Sequence, residues 1–114
     1  MASLIVLIHH SGEWGSANNI VNYSMDGVVI TTYIDFNGFT RFISSHLNVD
    51  TSLNSFDFNY KIDENSMPMW IRKTMGLRVY IELKKGSGNF KDCPLCITWN
   101  AIDIHHILSI NGKE

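Results

Sequence analysis

Five consecutive aliphatic residues, Leu4-Ile5-Val6-Leu7-Ile8, form the first apolar run of the chain. The run is too short for a membrane span, and its β-rich, unbroken character predicts a strand buried on both faces in the middle of a sheet. His9 to Asn19 then turns polar and glycine-containing, with Trp14 its one large apolar residue, and reads as a long first turn. Ile20, Val21 and Tyr23 predict a second strand, broken at Met25-Asp26-Gly27 and resumed over Val28 to Ile34. Together the two strands read as an antiparallel hairpin.

Between Gly38 and Leu47, Phe39, Phe42, Ile43, His46 and Leu47 recur at offsets of three and four, one apolar stripe on a helix of about three turns. Asn37 and Thr40 are its candidate caps, and Asn48-Val49-Asp50 ends it. Phe56, Phe58 and Tyr60 alternate with Asp57, Asn59 and Lys61, the period of a half-buried strand. Asp63 to Ser66 is a turn, Met67-Pro68 prevents a helix there, and Met69 to Ile71 is a short strand or edge. Leu77, Val79, Ile81 and Leu83 alternate with Arg78, Tyr80, Glu82 and Lys84, which predicts another half-buried strand. Gly86-Ser87-Gly88-Asn89 reads as a flexible joint, with Leu95 to Trp99 a further strand beyond it. The apolar residues from Ile102 to Ile110 have no decisive period.

At 114 residues the chain is one domain, without room for a second core or a multidomain enzyme. Its 45% apolar content is enough for a packed core. Charged residues make up 18% and the net charge is −2, so the chain as a whole lacks the basic excess of a dedicated nucleic-acid binder. That small sum hides a division: residues 1–60 carry −4 and residues 61–114 carry +2. Two cysteines cannot make a secreted disulfide framework, and the chain shows no signal peptide; the expectation is an intracellular protein of the nucleus or cytoplasm.

The order and spacing of these segments resemble the N-terminal domain of plant Mutator-like (MuDR-type) transposases, itself similar to the Phox-and-Bem-type interaction domain. Carrying the resemblance over residues 3–85 are the aliphatic strand followed by Gly12-Glu13-Trp14, Tyr23 with Gly27-Val28-Val29, the helix, the strand ending in Tyr60-Lys61, Met67-Pro68, and Val79-Tyr80-Ile81-Glu82-Leu83. It implies an α+β, ubiquitin-like β-grasp domain over residues 1–86, a mixed sheet with one main helix. Its first and last strands, Leu4 to Ile8 and Leu77 to Leu83, would lie side by side at the centre, with residues 87–114 as a C-terminal extension. The implied function is non-enzymatic protein contact or oligomerisation, with no cofactor and no membrane partner. Where the resembled domains carry acids before the last strand, this chain has Arg72-Lys73-Thr74-Met75-Gly76, and only Asp63 and Glu64 form an acidic pair nearby.

Several constellations have chemical alternatives. Cys93-Pro94-Leu95-Cys96 followed by His105 and His106 has part of a zinc ligand set, with a fourth ligand to come from His106, His9, His10 or His46; free thiols are the simpler expectation. His9-His10 beside Ser11 and Glu13 suggests a nucleophile and base, but adjacency supplies no oxyanion site. Gly86-Ser87-Gly88 lacks the Lys-Ser/Thr ending of a phosphate loop. The favoured interaction residues are Trp70, Arg72, Lys73, Arg78 and Lys84 on a basic edge, meeting Glu13, Asp26 and Asp35 of another copy. Trp70 is expected to be partly exposed, and residues 87–114 to add a strand or reach a neighbour as a swapped arm. The alternative is nucleic-acid binding through Arg72, Lys73, Arg78, Lys84 and Lys85.

Overall fold

A computed structural model describes residues 3–14, 20–63 and 65–102. Strands β1 (Ser3–His10) and β4 (Ser24–Thr31) pair antiparallel over their full lengths, from Ser3 opposite Thr31 to His10 opposite Ser24. The two-residue strands β2 (Glu13–Trp14) and β3 (Ile20–Val21) pair in the same register, Glu13 opposite Val21. These four strands are therefore two halves of one long hairpin, interrupted at Ser11-Gly12 and Asn22-Tyr23. Ser11 and Asn22 stand at φ 62° and 57°, a left-handed backbone tolerated best by short polar side chains such as Asn.

Helix α1 (Phe36–Leu47) begins earlier than its apolar stripe indicates. Asp35, not Asn37 or Thr40, is the cap: its backbone is extended and its Oδ1 accepts from the Gly38 N–H at 2.7 Å. The helix closes on Asn48, left-handed at φ 59°, whose N–H donates to the Ser44 carbonyl.

After β5 (Asn54–Tyr60) and the short β6 (Met69–Ile71), residues expected to form a central strand instead form helix α2 (Thr74–Gly86). Leu77, Tyr80, Ile81 and Lys84 are its buried residues, spaced at three, four and seven, whereas Val79 and Leu83 are exposed. The alternating pattern and the helical one share Leu77 and Ile81. Burial of Tyr80 rather than Val79 distinguishes them.

The strand beside β1 is β7 (Leu95–Ala101), from beyond the glycine-rich joint. It runs parallel to β1, with Ile8 opposite Leu95, and antiparallel to β5, with Phe58 opposite Ile97. The five-stranded order is β4-β1-β7-β5-β6, a mixed sheet, with two helices completing a compact α+β domain.

One face of the sheet carries the core. Val6, Ile8, Val28, Ile30, Phe58, Tyr60, Ile71, Leu95 and Ile97 meet Phe39 and Ile43 of α1 and Leu77, Tyr80 and Ile81 of α2. Rings interlock there, Phe39 edge-on to Phe58 at 5.2 Å and Tyr60 against Tyr80 at 4.7 Å. The aliphatic run is accordingly internal to the sheet but not buried on both faces: Val6 and Ile8 face the core, while Ile5 is 53% exposed on the other side.

Candidate interaction surface

The sequence-selected residues separate into those the chain uses for itself and those it presents. Lys84 belongs to the first group. Expected on a partner-facing edge, it is only 3% exposed, and its ammonium donates to the carbonyls of Phe90, at 2.8 Å, and Asp92. Burial pushes its amine below the ordinary lysine range. It therefore pins the segment after α2 to the helix, so the joint is tied where a free hinge was expected.

Arg78 is half-buried and donates to the Thr32 carbonyl, joining α2 to the turn after β4; its other nitrogen lies 3.9 Å from Glu82. Lys85 pairs with the same Glu82 at 3.1 Å. Asp35 is occupied as the α1 cap. The expected basic edge of five residues thus contracts, because a helix turns Arg78 and Lys84 inward where a strand would have presented them in a row.

Asp26 lies on β4 with its Oδ2 2.8 Å from His10 Nε2 and 3.4 Å from His46 Nε2, bridging β1 and α1. Ser11 Oγ stands 2.9 Å from His10 Nδ1. In the tautomer whose Nε2–H donates to Asp26, Nδ1 accepts a hydrogen bond from the Ser11 hydroxyl. A serine, histidine and aspartate are thus linked, an association that adjacency of Ser11 and His10 shows only in part. The arrangement clasps α1 to the hairpin. Hydrogen bonding from His10 holds the Asp26 carboxyl below its ordinary value of 3.8.

Because the folded value is the depressed one, the clasp's contribution is complete above the ordinary value and is lost as pH falls through the folded value. Asp26→Asn is expected to flatten the fall in thermal stability between about pH 5 and about pH 2, a small effect because solvent screens the exposed carboxylate. Thermal melts of both proteins across that range check it.

The presented residues gather at the other end of the sheet. Among the described strands β6 is an edge, paired with β5, where Trp70 lies opposite Asn59. Trp70 is 38% exposed, as expected, and the Arg72 guanidinium sits 5.3 Å from its ring centroid. Lys73 is exposed at the start of α2, whose first turn has no acidic residue and no side-chain cap from Lys73. Met67 is exposed just before β6, Met69 on the strand itself and Met75 in the first turn of α2. Sequence reading missed Met75, which helical placement brings to the surface next to Lys73. The Glu13 backbone lies in β2, far along the chain from this cluster.

Beneath the corner, Asn59 is buried and its Nδ2 has no hydrogen-bond acceptor. Cys93 and Cys96 are half-buried free thiols, and burial raises both above the ordinary range. Among the described residues no cluster of three or more His, Cys, Asp or Glu could hold a metal ion; His105 and His106 lie outside them. Likewise, no helix among the described residues is long and apolar enough to cross a membrane. No family model matches the chain, and no curated protein matches it.

Proposed function

We propose that the chain is a non-enzymatic protein–protein interaction or oligomerisation module that engages an acidic partner segment at the Trp70, Arg72 and Lys73 corner. The observation carrying this reading is the grouping of an exposed indole, a guanidinium 5.3 Å from its ring centroid and an exposed ammonium at the next residue, at the end of edge strand β6 on which Met69 is also exposed. Aromatic and Arg side chains dominate interface energetics, and methionines adapt to irregular partner surfaces.

Support for a ubiquitin-like β-grasp domain comes from the strand order, with β1 and β7 parallel neighbours at the centre and a hairpin, helix, strand pair, helix and closing strand in sequence. On this reading the relationship to Mutator-like transposase N-terminal domains is one of module ancestry. The corner that presents acids in the resembled domains presents bases here. Asp26 and Asp35 bond within their own chain, which disfavours them as the acids that would meet this corner from another copy.

Nucleic-acid binding, the alternative, retains only Arg72 and Lys73 as bases not turned inward or paired within α2. Filter binding of a single-stranded oligonucleotide separates the readings. Two phosphate contacts would give saturable binding that weakens about sevenfold between about 50 and 200 mM salt. The interaction-module reading expects no saturable binding at either concentration.

A further inference from the structure

We propose that β4, the opposite edge of the sheet, pairs with β4 of a second copy, antiparallel about a two-fold axis at Gly27. This rests on the chain being an interaction module but uses a surface separate from the Trp70 corner. Among the described residues β4 has β1 as its only strand neighbour, so one side of an eight-residue strand has no strand partner there. Such edges are normally blunted by proline, lysine, bulges or shortness. β4 has no proline and no lysine, pairs with β1 without a bulge and is as long as β1. Its one charge, Asp26, is directed to His10 and His46.

The strand is also self-complementary. With Gly27 opposite Gly27 of the second copy, each Met25 faces a Val29 on the outer side of the sheet, and each Asp26 faces a Val28. Shifting the axis to Asp26 would set two carboxylates directly opposite, a destabilising pairing. In the Gly27 register the exposed Met25 and Val29 cover one another, next to exposed Ile5, which pairs with Val29 in its own chain.

Gly27 itself has no explanation within one copy. Its backbone is not left-handed, and an added Cβ would meet nothing within 4 Å. A strand-interior glycine often marks a bulge, a tight bend or close approach of another backbone, and β4 pairs with β1 without a bulge at Gly27. The two-fold axis supplies that approach.

Sedimentation equilibrium of the full chain over about 1 to 300 µM tests this, with the mass expected to rise from 13.0 kDa toward twice that value. Gly27→Lys places two like charges across the axis and is expected to weaken the dimer about tenfold or more. Gly27→Glu alone does the same, and mixing the two variants restores dimers. Circular dichroism checks that both are folded, as the open space at Gly27 allows. An Arg72→Glu/Lys73→Glu variant keeps the wild-type mass profile. A wild-type monomer at every concentration, a Gly27→Lys protein that still dimerises like wild type, or a mixture no better than either variant alone would overturn the proposal.

Discussion

Deletion of residues 87–114 is expected to unfold the protein. Among the described strands β7 is the one that joins the β4-β1 half of the sheet to the β5-β6 half, and it contributes Leu95 and Ile97 to the core. Without it two separate strand pairs remain, and isolated pairs are marginally stable in water. The deletion also removes the Phe90 and Asp92 carbonyls and so leaves a buried Lys84 ammonium unpaired. Far-UV circular dichroism and proton NMR read the result: loss of a cooperative melt and of dispersed amide signals. A swapped-arm reading of residues 87–114, in which the first 86 residues fold alone, predicts a folded truncated monomer instead.

The second large effect separates helix from strand at residues 77–83. Tyr80→Ala removes a ring that is 1% exposed and packed on Tyr60, and its hydroxyl donates to the Cys93 carbonyl at 2.8 Å. Expected destabilisation is about 3–5 kcal/mol, by analogy with other buried aromatic truncations. At about 4 °C per kcal/mol for a domain of this size, the melting temperature falls by about 12 °C or more. Val79→Ala, at an exposed site on the same helix, stays within about 0.5 kcal/mol of wild type. Had these residues formed the alternating strand, with Val79 inward and Tyr80 outward, the order of the two losses would be reversed.

That pair of residues also shows where sequence reading reached its limit. Leu77 and Ile81 are four apart, a separation that puts side chains on one face of either a strand or a helix. With Val79, Tyr80 and Leu83 all apolar, local pattern could not choose, and only packing against β5 and β6 decides. Elements with one dominant period were legible: α1 from Phe39 and Ile43, and β5 from Phe58 and Tyr60. The α1 start was two residues off because Asp35 caps from outside the apolar stripe.

β7 was legible as a strand but not as a central one, because its neighbours β1 and β5 are distant in sequence. At the candidate surface, exposure of Trp70 and the bases beside it followed from local text. Lys84 did not, since a lysine near a glycine-rich joint carries no local mark of burial. The carbonyls that hold it come from a loop whose path depends on α2 and β7 together.

The interaction reading is tested most directly by the partner itself. Cell extract, with and without nuclease treatment, is passed over the immobilised wild-type chain and over Arg72→Glu/Lys73→Glu, and the retained protein is purified and titrated against both. The account predicts a partner with an acidic segment that binds wild type saturably and the charge-reversed variant about tenfold or more weakly. A partner that binds both equally, or retention that disappears with nuclease treatment, would contradict it.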